Sequence, residues 1–176
     1  MKRKGLIQVY TGEGKGKTTA AVGLCIRAIA CKMKIIYIYF HKEPKSWSYG
    51  EHKILKKLGV KIFGFAETHP YFHKGIDKNE IRKDCLKALE FIKKTYKEDK
   101  YGLLVLDEIL ISLRDGFLNE EEVLEILKLK PKKLELVLTG RGVTKGIIEK
   151  ADLVSEIKKV KHPYDAGVNS RKGIEY

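Results

Sequence analysis

The sequence predicts an α/β fold: a mostly parallel sheet covered by helices on both faces, built around a phosphate-binding loop. Two observations carry this. Residues Thr11 to Thr18 read Thr-Gly-Glu-Gly-Lys-Gly-Lys-Thr, set between the apolar run Leu6 to Tyr10 and an alanine-rich stretch. Strand, glycine-rich turn, Gly-Lys-Thr and helix is the layout that cradles a chain of phosphates. The other observation is alternation. Short apolar runs are separated by helical patterns from end to end, which argues for parallel strands with crossover helices.

Strands are expected at 6–10, 34–40, 60–65, 102–107, 134–139 and 153–158, and helices at 17–31, 47–58, 78–98, 120–129 and 144–150. The run Lys34 to Phe40 is β-branched and aromatic, as a buried strand should be. Asp77 is placed to cap the helix that follows it. Asn119 does the same for Glu120-Glu121-Glu122, whose acids suit the positive end of a helix dipole. Ligands of such sheets bind at the carboxyl ends of the strands. Thr11, Asp107 and Thr139 all fall there, so three separate segments are expected to converge on one site.

Each part of the loop has a physical task. Gly12, Gly14 and Gly16 let the backbone turn its N–H groups inward and let an anion approach closely. The following helix adds free N–H groups and about half a positive charge at the same point. Lys17 supplies a mobile full charge, and the Thr18 hydroxyl can ligate magnesium. Thr11 stands where the common pattern has Gly, six residues before the Lys, so the turn is a variant. The segment Tyr101 to Glu108 is an apolar strand ending in two carboxylates. Beside a phosphate loop, such acids reach the metal directly or through water.

Composition narrows the field. The 176 residues suit a single domain, 1–176, with a full core. No apolar run is long enough to cross a membrane, and Leu6 to Tyr10 is too short for a signal-peptide core. Cys25, Cys31 and Cys85 have no paired spacing and read as thiols of a cytoplasmic protein. Net charge is +13, which invites a nucleic-acid reading. The lysines, however, are spread over every helix and loop and interrupted by acids. Thirty Lys against six Arg, with one Gln and three Asn, looks like a thermophile surface. Part of the charge can also attract a polyanionic substrate.

Five separated blocks then carry a resemblance that runs nearly end to end. They are Val9 to Ala21 with Arg27 behind it; Trp47-Ser48-Tyr49-Gly50-Glu51; Val105 to Glu108; Thr139-Gly140-Arg141-Gly142; and Ala151 to Glu156 continuing through Lys161 to Val168 and Lys172 to Tyr176. In these the chain resembles the phosphate-loop corrinoid adenosyltransferases, also called cob(I)alamin or cob(I)yrinic acid a,c-diamide adenosyltransferases. That family shares the odd Thr11.

The resemblance implies a RecA-like homodimer that moves the 5′-deoxyadenosyl group of ATP to the Co(I) centre of a corrinoid and releases triphosphate. It implies magnesium or manganese as a cofactor, a flavoprotein-type reductase as the electron donor, and no nucleic-acid or membrane partner. It also implies a nucleotide reversed over the loop, so that C5′ faces the cobalt. Carried onto this chain, the nucleotide contacts fall on Thr11, Gly12, Glu13, Gly14, Lys15, Gly16, Lys17, Thr18 and Thr19. Lys17, Thr18 and Glu108 take the catalytic roles. Thr18 and Glu108 match the metal positions, with Asp107 beside them as a direct or indirect ligand. Arg141 can grip a terminal phosphate or form a surface turn. Arg27 can reach the nucleotide or make an ion pair on the helix face.

The match is imperfect at the aromatic segment that excludes the lower axial ligand of cobalt. Ungapped counting places Tyr71 there, with His73 in place of Trp; Phe65 is the candidate if the loop is gapped. About five residues precede the first strand, so a site that longer relatives cover with an N-terminal helix is expected to be more open here or covered by another segment, with the loop near 66–76 as the candidate. The block 161–176 has no assigned role. Two other classes compete: a small ATPase or kinase in which Glu108 polarises water, and a RecA-like nucleic-acid binder. The thermophile reading predicts a calorimetric unfolding midpoint above about 60 °C.

Overall fold

The computed structural model describes residues 4–43, 49–68 and 77–175. Six strands form one sheet: β1 (Ile7–Thr11), β2 (Ile35–Phe40), β3 (Lys61–Phe65), β4 (Leu103–Asp107), β5 (Glu135–Thr139) and β6 (Leu153–Glu156). Their order is β3-β2-β4-β5-β1-β6, and every pairing is parallel. The helices are α1 (Lys17–Ala30), α2 (Gly50–Lys57), α3 (Lys78–Lys97), α4 (Ile109–Arg114), α5 (Glu120–Leu129) and α6 (Lys145–Lys150).

The period-two alternation of each strand sorts side chains onto two faces. Ile36, Ile38, Leu104, Leu106, Leu136 and Leu138 pack with residues of α3 to α6. Tyr37, Tyr39, Val105 and Val137 pack with residues of α1 and α2. Helices therefore cover both faces, as the sequence predicts. The central strands β2, β4 and β5 are buried along their whole length. Each fully buried aliphatic side chain contributes roughly 1.5–3 kcal/mol. An exposed ion pair gives at most about 1 kcal/mol. The sheet core, not the lysine-rich surface, therefore decides this fold.

Local signals act where the sequence places them. Asp77 accepts from Asn79 N at 2.8 Å and starts α3. Glu122 accepts from Asn119 N at 2.8 Å, closing a capping box at α5, and also pairs with Arg82 of α3. Two differences have physical reasons. Helix α4 was not expected, because Ile109 to Arg114 is a short apolar run without helical periodicity. The last strand ends at Glu156 and not at 158. Its partner β1 ends at Thr11, and Ile157 bonds onward to the turn: its N–H donates to Thr11 O and its carbonyl accepts from Gly14 N. Trp47 and Ser48, in the expected start of the second helix, lie outside the described residues.

On the α2 side of the sheet, His52 stacks on Tyr39 at 4.7 Å, lies 5.3 Å from Tyr49 and meets Tyr37 edge-on at 5.7 Å. Burial, helped by Lys42, lowers its pKa from 6.5 to about 4. The unfolded chain therefore takes up this proton first. Above pH 6.5 the group is neutral in both states and stability is unaffected; it is lost as pH falls from 6.5 toward 4. The full loss is about 3 kcal/mol. His52→Phe should flatten the acid limb of stability measured by urea unfolding between pH 7 and 4.5.

Candidate active site

The phosphate loop leaves β1 at Thr11 and enters α1 at Lys17. Gly16 has φ +130°, a conformation open to glycine and strained for other residues. Gly12 and Gly14 answer a second demand as well. A Cβ on Gly12 would lie 2.5 Å from Ile157 O, and one on Gly14 would lie 2.6 Å from Lys158 O. The loop is thus pressed against the chain leaving β6, and the Gly14 N–H donates to Ile157 O at 2.7 Å.

Lys17 is buried, and its ammonium lies across the loop, donating to Gly12 O at 2.7 Å and Gly14 O at 2.8 Å. Burial lowers its pKa, partly opposed by Glu108. Thr18, one residue on, donates from its hydroxyl to Asp107 Oδ1 at 3.0 Å. Thr139, at the end of β5, donates to the same oxygen at 2.7 Å and accepts from Glu108 N at 2.9 Å. The strand-end convergence read from the sequence is therefore present as a hydrogen-bonded junction.

Asp107 is fully buried, and its other oxygen, Oδ2, pairs with Lys42 Nζ at 2.5 Å. Burial alone would raise the Asp107 pKa; Lys42 overcomes this and holds it below the ordinary value. The same attraction outweighs burial at Lys42, whose pKa is raised. Lys42 also sits 5.1 Å from the centre of the Tyr49 ring. The sequence reading missed Lys42. It stands in a loop two residues beyond β2, one lysine among thirty, and only the pairing of β2 with β4 brings it to Asp107.

Glu108 follows in a left-handed conformation, φ +65°, which turns its side chain out of the strand. Its Oε2 is buried and has no hydrogen-bond partner among the described residues. Burial and then the Asp107 charge raise its pKa, against the pull of Lys42, Lys17 and Arg141. An unpartnered buried carboxylate oxygen that feels the charge of the loop's Lys17 fits a divalent cation. Among the described residues no three His, Cys, Asp or Glu stand together as a ready metal cage. Magnesium does not require one, since one or two carboxylates plus substrate phosphates suffice.

The remaining expected residues divide. Arg141 pairs across the loop with Glu13, Nη1 to Oε2 at 2.8 Å. Lys15 pairs with Glu175 at 2.7 Å and points toward the C-terminal segment. Thr11 is buried under the loop, and Thr19 is exposed on α1. Arg27 is exposed in the last turn of α1, ten residues beyond Lys17 and so about 15 Å along the helix from the phosphate end. Tyr71 and His73 lie outside the described residues. Phe65 is half-buried and packs against Phe91 at 5.6 Å and Phe40 at 6.5 Å, at the edge of the core.

A family model described as ATP:corrinoid adenosyltransferase BtuR/CobO/CobP matches residues 3–176. The chain belongs to this family. The corrinoid adenosyltransferase of Escherichia coli strain K12 is 34% identical over 173 residues, covering 98% of this chain and 86% of that protein. The corrinoid adenosyltransferase of Sinorhizobium sp is 35% identical over 175 residues, covering 98% and 81%. Among solved structures, a KaiC-like protein from Pyrococcus horikoshii OT3 superposes with a TM-score of 0.58 at 21% identity, covering 88% of this chain and 73% of that one. That likeness concerns the fold alone and agrees with the RecA-like phosphate-loop architecture expected. This corrinoid adenosyltransferase is a transferase acting on ATP and a corrinoid.

The Lys42–Asp107 pair is buried, so removing one partner strands a charge. Lys42→Met should cost about 3–5 kcal/mol in urea unfolding. The double variant Lys42→Met/Asp107→Asn should cost clearly less than the sum of the two single changes.

Proposed function

We propose that the Asp107 junction and the phosphate loop act together to hold ATP by its polyphosphate, leaving ribose C5′ open to attack. The observation that carries this reading is the orphaned Glu108 Oε2, on the residue that follows Asp107, whose own carboxylate accepts from the Thr18 hydroxyl of the loop's helix and from Thr139 at the end of β5. Magnesium, or manganese, would be held by Glu108 and the Thr18 hydroxyl. Asp107, whose oxygens are engaged by Lys42, Thr18 and Thr139, positions Thr18 instead of binding the cation itself. When bound, the cation supplies positive charge to the departing triphosphate.

The reaction needs no general base. The Co(I) electron pair forms the bond to C5′, the C5′–O bond breaks, and its electrons leave with triphosphate. No proton moves. The protein's work is alignment, worth roughly 7–11 kcal/mol, and fixed positive charge around the leaving oxygens. Lys17 shifts from the Gly12 and Gly14 carbonyls to the phosphates. The N–H groups of the loop that remain free do the same, Gly14 excepted, since its N–H is bound to Ile157. Arg141 leaves Glu13 for a phosphate. Arg27, about 15 Å along the helix, serves the helix surface or the nucleoside end.

The enzyme works in this reading as a cytoplasmic homodimer supplied with electrons by a flavoprotein-type reductase. Its Lys/Glu-rich surface is that of a thermophile. Among the described residues no helix is long and apolar enough to cross a membrane. The ATPase or kinase alternative is not favoured by the family membership.

Incubation with ATP, magnesium and chemically reduced cobalamin separates the readings. Transfer gives the adenosylcobalamin spectrum and triphosphate only when reduced corrinoid is present; an ATPase gives ADP and phosphate without it. Lys17→Ala should abolish transfer with the fold intact. Glu108→Gln should lower kcat by about 10²–10³, the cost of losing one transition-state stabiliser. Wild-type turnover in Lys17→Ala would falsify the assignment of the loop.

A further inference from the structure

Beside the phosphate loop, the chain beyond β6 folds into an exposed segment with a short 3₁₀ turn at Pro163–Ala166. A cleft of about 260 Å³ opens between this segment and Gly14-Lys15. Its charged walls are Lys15, Lys158, Lys159, Lys161 and Arg171, with Glu175 the lone carboxylate among the lining residues. Glu175 is shared by Lys15 and Arg171, and Lys159 turns to Asp165 at 2.9 Å. Lys158 reaches Glu156 only at 3.9 Å, and no ion pair to Lys161 occurs among the described residues. Lys158 is thus only loosely paired, and Lys161 unpaired among the described residues, in a concavity that shares its rim with the loop.

We propose that this cleft is a subsite for the terminal phosphate of a tripolyphosphate chain. The proposal rests on the reading that triphosphate is what the loop holds and releases. The geometry favours phosphate. The rim residues Gly14 and Lys15 belong to the loop itself, and Gly14 is fastened to Ile157, the residue before Lys158. A phosphate chain lying along the loop is led directly toward Lys158 and Lys161. The two lysines let the enzyme distinguish three linked phosphates from two, because only the longer chain reaches past the rim. They bind the far end, away from the breaking bond, and so anchor the leaving group without touching C5′.

Calorimetric titration of the full chain with inorganic triphosphate and with pyrophosphate, both with magnesium and without corrinoid, tests this. The wild type should bind triphosphate about tenfold more tightly than pyrophosphate, the worth of one or two charge-assisted contacts. Lys158→Ala/Lys161→Ala should erase that preference and leave pyrophosphate affinity within about twofold, with an unchanged thermal midpoint, because both side chains are exposed. Equal wild-type affinity for the two anions, a preference that survives in the double variant, or an equal loss of both affinities in it would each overturn the subsite. So would a double variant with intact triphosphate binding and a raised KM for the corrinoid, which would assign the cleft to corrinoid carboxylates. Transfer to reduced cobalamin is measured separately. If transfer is missing while the triphosphate preference holds, the proposed reaction fails and the subsite stands; if transfer occurs without the preference, only the subsite fails.

Discussion

One buried carboxylate ties together four segments that are distant in sequence. Asp107 ends β4, Thr18 lies in the first turn of α1, Thr139 ends β5, and Lys42 follows β2. Without the Lys42 ammonium, the desolvation of Asp107 would favour its protonated form, and the two threonines would lose a charged acceptor. With it, the carboxylate stays ionised in a buried setting, where hydrogen bonds to a charge are worth about twice those between neutral groups. The position of Thr18, and so of the first turn of α1 and the loop before it, follows from that pair. So does Glu108, whose N–H is held by the same Thr139 that holds Asp107.

The glycines show how one residue type serves fold and site together. The loop needs small residues for a phosphate to come close. The same Gly12 and Gly14 allow the backbone at Ile157 and Lys158 to press against the loop's flank. The C-terminal chain is therefore part of the loop's support. Its basic side chains line a cleft whose rim is Gly14 and Lys15 of the loop.

Much of this was legible in the sequence because the governing signals are local. The eight residues Thr11 to Thr18 encode a turn, a cation and a hydroxyl in fixed order. The capping residues Asp77 and Asn119 act within three positions of themselves. The apolar run ending at Asp107-Glu108 states both a strand and its polar end. What was hidden depends on the fold. Lys42 looks like any other lysine until β2 pairs with β4. Helix α4 follows an apolar strand after one left-handed residue, so a single continuous run conceals a change of structure. The cleft at 158–175 has lysines indistinguishable in composition from those on the outer helices; only the turn of the chain past Ile157 places them beside the loop.

The buried ionisable groups also bear on the type of chemistry. A catalyst that moves protons needs an acid or base poised near neutrality and within reach of its target. Here His52, buried and neutral at pH 7, is stacked among Tyr37, Tyr39 and Tyr49. Asp107 is locked to Lys42, and Lys17 is folded onto carbonyls. Glu108 retains an unengaged oxygen, and positive charge converges on it from Lys42, Lys17 and Arg141. Such an interior fixes charge in place and offers little to abstract or deliver a proton. That suits a reaction whose nucleophile arrives already reduced and whose leaving group departs as an anion: the demand on the protein is electrostatic and positional, and those are the two things this junction supplies.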